Sequence, residues 1–143
     1  MLRTLLAIAL TSYSIDSERD KIEFMCPLEH GSISMNSPIH PFLIADPSES
    51  FLFTVDKLSN VYPVFSGVVV KLDTIESNYL FVLTSDSMYS AYFGRFDPSL
   101  IELGKHYNIG ETITKAGKGT ELIVSVWEND KQLYKEVEFN CSN

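Results

Sequence analysis

The sequence predicts an all-β domain of two packed antiparallel sheets. Short runs rich in β-branched and aromatic residues recur along the chain. Turn-forming residues separate them at regular intervals, which is the pattern of a sandwich or barrel. After residue 20 no segment keeps an apolar stripe at helical spacing for three turns.

The elements follow in order. Residues 1–20 read as a leader and hinge, and residues 21–143 as the β domain. Arg3 precedes the apolar run Leu5-Leu6-Ala7-Ile8-Ala9-Leu10, with Ser12 and Ser14 after it. This fits a weak signal peptide cleaved after Ser14. It also fits an amphipathic helix with Leu2, Leu5, Leu6, Ala9, Leu10 and Tyr13 on one face. Export to a periplasm or cell envelope is therefore an expectation that the leader alone does not decide. Lys21–Met25 alternates as a short strand, and residues 29–50, with Pro38, Pro41, Pro47 and many serines, read as loop. Phe51–Val55 is a strand, as is the run from Gly67 to Asp73. Tyr79–Thr84 and Met88–Phe93 flank Ser85-Asp86-Ser87 as a hairpin, and Glu121–Glu128 and Gln132–Glu138 flank Asn129-Asp130 as another. Residues 61–69 and 103–113 look alike: each has an apolar lead, a glycine-bearing turn and a β-branched start. Gly104 and Gly110 stand where a reversing chain uses positive φ without a Cβ penalty.

Composition narrows the function. Hydrophobic residues make up 45% of the chain and charged residues 21%, so a folded core is within reach. A net charge of −8 argues against nucleic acid, whose phosphates call for clustered Lys and Arg. The same charge disfavours anionic lipid and anionic wall polymers. Cys26 and Cys141 sit near opposite ends of the domain. In an oxidising compartment they could pair, and closing so long a loop would contribute about 4–5 kcal/mol in the chain-entropy view. Otherwise they are two partly buried thiols.

Four segments in order resemble the lysostaphin or LytM type of zinc peptidase. Val61-Tyr62-Pro63-Val64 with Ser66-Gly67-Val68-Val69 is similar to the family's "pVyA…dGvV" stretch. Met88–Phe93 resembles the strand before its catalytic-histidine loop, and Gly104–Ile113 its "vGdkVkkGqvIg" turn. Leu122–Trp127 resembles its last core strand. The likeness runs from about Phe51 to Leu133 and implies a duplicated hybrid motif, a barrel-sandwich in form.

The resemblance also implies chemistry that these residues do not carry. The family holds zinc with an H-x-x-x-D pair and the second His of H-x-H, leaving one position open for the attacking water. In this chain the zinc positions fall on Leu52, Asp56 and Ile123, and the assisting histidines on Gly94 and Glu121. The histidines are His30, His40 and His106, and none makes either motif. The expectation is a pseudoenzyme without zinc or another cofactor. It would bind a protein partner or a peptidoglycan-like peptide, and an oligomer is compatible with the sequence. Relatives of this sort activate amidases or form rings in envelope complexes, which is what the resemblance implies for this chain. A structural subunit of an envelope or virion assembly is the alternative, and a divergent murein hydrolase the remote one.

The candidate groove comprises Asp56, Tyr92, Arg95, Glu121 and Trp127, although Trp127 reads more readily as a core or edge aromatic. Asp56 with Glu121 as acid and base, and Cys26 with His30 as a thiol nucleophile, are weaker candidates, since solvated acids and structural cysteines are commoner. No phosphate loop, dinucleotide glycine pattern or Cys-x-x-Cys occurs. Biotinyl and lipoyl carriers would need a Met-Lys hairpin tip, and the similar sugar-phosphotransferase domain paired histidines; neither is present.

Overall fold

A computed structural model of the chain describes residues 21–34 and 46–141. Twelve strands run through the described residues: β1 (Ile22–Met25), β2 (Gly31–Ile33), β3 (Phe51–Val55), β4 (Ser59–Val61), β5 (Gly67–Ile75), β6 (Asn78–Ser85), β7 (Met88–Gly94), β8 (His106–Tyr107), β9 (Thr114–Ala116), β10 (Glu121–Glu128), β11 (Lys131–Leu133) and β12 (Val137–Asn140). The helical content is two single 3-10 turns, Pro47–Glu49 and Pro98–Leu100, each opened by an aspartate whose carboxylate accepts from the amide two residues on. No helix among the described residues is long and apolar enough to cross a membrane.

The fold is all-β. Eight strands form one antiparallel sheet in the order β2-β3-β10-β7-β6-β5-β8, with β11 beside the far end of β10. Strands β4 and β9 make an antiparallel ribbon, and β1 with β12 a parallel one. The look-alike segments run against each other: Ile113 N–H donates to Val61 O at 2.9 Å, Val69 N–H to Lys105 O at 3.1 Å, and Gly67 pairs with Tyr107. Gly104 and Gly110 both hold positive φ, at 86° and 93°.

Alternation along β10 builds two apolar layers. Leu122, Val124 and Val126 point into the main core with Phe53, Val55, Phe81, Leu83 and Tyr92. Ile123 and Trp127 point the other way and cluster with Leu80, Ala91 and Phe93. Both faces of this strand are therefore hydrophobic, which explains why its sequence reads as an apolar run without clean alternation.

Three sequence expectations need correction. The span 29–50 is not all loop, because Gly31–Ile33 pairs with β3. Its entry depends on a glycine: a Cβ at Gly31 would meet Leu28 Cδ1 at 2.5 Å and Thr54 O at 2.8 Å. Gln132–Glu138 is not one hairpin arm. It breaks at a turn in which Val137 N–H donates to Tyr134 O at 3.2 Å, and the chain leaves β10 to pair with β1. The first strand begins at Ile22 and not Lys21. The leader, its cleavage point and His40 lie outside the described residues.

Cys26 and Cys141 are joined in a disulfide across a sequence separation of 115, their Cα atoms 4.8 Å apart. It closes the open end of the β1–β12 ribbon. Phe24 and Phe139 on this ribbon meet with ring centroids 6.3 Å apart, and Phe139 reaches on to Phe51 and Phe53 at 4.8 and 5.3 Å. The two ends of the domain are thus stapled beside β3, the strand that carries part of the candidate site.

Candidate functional site

A cleft of about 250 Å³ opens on the face of the sheet opposite the main core, where β3, β10, β7 and β6 run side by side. Phe93, Gly94 and Arg95 line one side, Gly119, Thr120 and Glu121 the other, and Ile123 and Asn78 complete it. Backbone bonding around its rim is dense. Val55 N–H donates to Thr120 O at 3.0 Å, and Gly119 N–H donates back to Val55 O at 2.9 Å. Gly119 sits at φ 82°, a conformation that suits glycine. These bonds tie the turn before β10 to the end of β3, and Asp56 follows at once, its N–H donating to His30 O at 3.2 Å.

Strand register decides what the floor presents. Ile123 is the cross-strand partner of Leu52 on one side and Phe93 on the other. Directly opposed residues of an antiparallel pair share a face, so the three side chains form one apolar row. Ile123 is only 2% exposed. Two residues earlier on the same face, Glu121 stands exposed opposite Thr54. Asp56 and Arg95 are exposed as well. No hydrogen bond or ion pair joins Asp56 to Glu121; the ion pairs among the described residues lie elsewhere, at Glu29–His30, Lys71–Asp73 and Lys131–Glu136. Two separately solvated carboxylates do not make an acid–base dyad.

Gly94 is held where no other residue fits. A Cβ there would meet the backbone oxygen of Glu121 at 2.5 Å, and the residue is registered with Leu122 on one neighbour and Tyr79 on the other. β7 and β10 therefore approach too closely for a side chain.

Two proposed groove residues belong elsewhere. Tyr92 is fully buried in the main core, because Ala91 and Phe93 take the cleft side of β7 and leave Tyr92 the other. Its hydroxyl accepts from Val64 N–H at 2.8 Å and donates to Tyr62 O at 3.2 Å, and its ring stacks on Phe81 with centroids 4.3 Å apart. Burial pushes this phenol well above the usual tyrosine range. Trp127 is 5% exposed and stacks on Tyr89 at 4.9 Å and 10°, four residues along β10 beyond Ile123 of the cleft. It is the covered aromatic that the sequence favoured, not a groove wall. Asp56 keeps its exposure but is not among the lining residues. Arg95 and Glu121 do line the cleft, as do Gly94 and Ile123.

Sequence reasoning missed Asn78, Phe93, Gly119 and Thr120. The one available signal was Gly117-Lys118-Gly119-Thr120, a turn-forming stretch immediately before the last long strand. Cys26 is spoken for by its disulfide, so it offers no thiol to His30, whose Nε2 lies 3.4 Å from Glu29. His106 stands on β8, at the opposite edge of the sheet from β3.

No protein-family model matches the chain, and no curated protein matches its sequence. Solved structures do match. Csd3 of Helicobacter pylori superposes with a TM-score of 0.62 over 82% of this chain, at 15% identity. A structure of the SpoIIQ–SpoIIIAH pore-forming complex gives 0.57 over 79%, also at 15% identity. A Pseudomonas aeruginosa protein assigned to peptidase M23 gives 0.57 over 90%, at 16% identity.

The fold is that of the LytM/M23 peptidases.

The chain spans 35% of Csd3 and 58% of the Pseudomonas protein, against 88% of the chain matched in the SpoIIQ–SpoIIIAH complex. The LytM/M23 fold implies a zinc ion, and the residues here do not fit one. The sequence resemblance assigns its ligand positions to Leu52, Asp56 and Ile123, and of these side chains only that of Asp56 carries a donor atom. Among the described residues no three His, Cys, Asp or Glu side chains converge where a metal could be held.

Proposed function

We propose that the chain is a non-catalytic LytM/M23-type domain, comprising residues 21–143 behind a leader of residues 1–20, that works by binding a protein or peptide at the cell envelope. The observation that carries this reading is the direct pairing of Leu52 with Ile123. Where the family's chemistry requires two imidazoles, two aliphatic side chains fill the space and expel water from it. A carboxylate left alone at Asp56 binds zinc weakly.

What remains is a recognition surface. Arg95 and Glu121 put opposite charges on facing sides of the cleft, Asn78 adds an amide, and Phe93 with Ile123 supplies an apolar base. A few fixed polar groups around an apolar floor suit an extended peptide. The disulfide supports an exported protein, since such bridges persist in oxidising compartments. The acidic charge favours a protein or peptide ligand over anionic wall polymer.

Metal analysis of the purified chain, combined with turnover assays on peptidoglycan and titration with wall-derived peptides, tests the proposal. Saturable peptide binding without zinc or turnover is the expected result. Stoichiometric zinc with cleavage of wall peptides would overturn it. A structural subunit of an envelope or virion assembly is the second reading, favoured by an uncovered length of sheet edge on β5.

A further inference from the structure

We infer that the outer edge of β5 joins two copies of this chain into a two-fold dimer by continuing the sheet from one to the other. On its inner side β5 pairs with β6 along nearly its whole length. On its outer side β8 covers only Gly67 and Val68, and bonds from Val69 to Gly104 and Lys105 end the contact. From Val70 to Ile75 no described residue pairs with that side.

The hairpin at Glu76-Ser77 dictates which groups this edge offers. A two-residue turn is closed by a hydrogen-bonded pair, here Ile75 with Asn78. Bonded and non-bonded pairs alternate along an antiparallel ladder. Asp73 and Lys71 therefore bond to β6, while Leu72 and Thr74 turn their N–H and C=O groups outward. Two donors and two acceptors, spaced as in a strand, face away from the sheet.

Charge selects the occupant. Lys71 and Asp73 form an ion pair of 3.3 Å on one face of the edge, each side chain half exposed. An antiparallel copy related by a two-fold axis through Leu72 sets Lys71 opposite Asp73 of the partner, and Asp73 opposite its Lys71. The four charges alternate in sign, and Leu72 pairs with its own copy as a hydrogen-bonded pair. Moving the axis to Asp73 opposes two aspartates, and moving it to Lys71 opposes two lysines. Like charges directly opposed are unfavourable in a sheet, so one register stands out. An isologous contact of this kind needs only one self-complementary strip.

The end of the strip adds apolar surface. The bulge between Val69 and Lys71 turns Val70 outward, and it is 53% exposed. Leu103 is 63% exposed beside it, the following residue, Gly104, donating its N–H to Val69 O at 2.7 Å. Charged side chains and bulges, both present here, guard an edge against strands that leave the charges unbalanced. The charges on this edge are compensated by a second copy.

Sedimentation of the full chain over a range of concentrations tests the inference, with circular dichroism as the folding control. The wild type is expected to dimerise. Lys71→Glu, which opposes acid to acid twice, should weaken self-association by about tenfold or more. Thr74→Pro removes an outward N–H at an edge position where proline is tolerated, and should give a folded monomer. The double exchange Lys71→Asp with Asp73→Lys restores alternation and should restore the dimer. A wild type that stays monomeric, or a dimer indifferent to Lys71→Glu and Thr74→Pro, would overturn the assignment. So would a double exchange that stays as weak as Lys71→Glu.

Discussion

The floor and the rim of the cleft lie two residues apart on β10, yet they obey different rules. Ile123 is sealed between Leu52 and Phe93, whereas Glu121 stands in solvent. Under the sequence resemblance both positions correspond to residues that would serve one reaction in a zinc peptidase. Here the floor is part of a hydrophobic layer continuous with Leu80, Ala91 and Trp127, while the rim keeps charge and hydrogen-bonding capacity. On the proposed reading, gripping a metal and gripping a ligand are separable tasks on one sheet. The first needs imidazoles at buried positions; the second needs only exposed polar groups on a rigid frame.

Rebuilding the floor as a metal site breaks this difference most severely. Leu52→His with Ile123→His places two nitrogen donors opposite each other on β3 and β10, at positions that the resemblance assigns, with Asp56, to a metal. Without metal the double variant should lose about 4 kcal/mol, from lost apolar burial and from imidazoles left without partners. Zinc should return much of that loss, because a ligand that binds only the folded state raises its stability. Thermal melts with and without zinc measure both effects. A melt that zinc does not move would show that this row does not coincide with the family's metal position.

The next largest effect falls between floor and rim, at Gly94. Any side chain there meets Glu121 O, and β7 is pinned on both sides, so Gly94→Ala should cost about 3 kcal/mol by denaturant unfolding. A cost below about 0.5 kcal/mol, the ordinary range for surface substitutions, would mean that the strands separate easily and that a histidine could be carried at this place.

Much of this architecture was legible in the sequence, and the failures share a cause. Phe51–Val55 and Glu121–Glu128 have the bounds expected of them, since each is long enough for β-branched and aromatic content to dominate its surroundings. Strands β2, β4, β8 and β9 are two or three residues long. Partners far away in sequence impose them, and a local pattern that short carries no signal. Tyr92 failed by parity: with both faces of β7 apolar, nothing in the sequence told which face it joined, and a shift of one residue exchanges them. The cleft lining divides in the same way. Gly94, Glu121 and Ile123 came from the resemblance, whereas Asn78, Gly119 and Thr120 are placed by backbone bonds that only the folded chain possesses.

Tyr92 itself supplies a smaller effect, confined to the face away from the cleft. Tyr92→Phe leaves the buried Val64 N–H without its acceptor and should cost about 1–3 kcal/mol. Its raised folded pKa adds a pH signature. Stability from this group is complete below the unfolded value of 10.0 and falls as pH rises beyond it, because the unfolded chain ionises first. Wild-type melts should therefore weaken above pH 10 more steeply than those of Tyr92→Phe. Parallel curves would mean that the phenol is solvated.

The smallest expected change in stability is at the rim, and it separates the two regions most cleanly. Glu121→Gln keeps shape and hydrogen-bonding capacity at an exposed site while removing the charge, so unfolding should shift by less than about 0.5 kcal/mol. Arg95→Ala should be equally mild. If the rim is where a ligand is held, these two variants lose affinity for a wall-derived peptide by about tenfold while their melts stay at the wild-type position. Ile123→Ala should do the reverse, costing about 3 kcal/mol of stability while lowering the affinity of the remaining folded protein less than the rim variants do, since it trims only the apolar base of the cleft. The pair of measurements, titration calorimetry and thermal unfolding, must therefore give opposite rankings for rim and floor. The same ranking in both would tie ligand binding to the integrity of the sheet itself, and the polar groups around the cleft would then have no recognition role of their own.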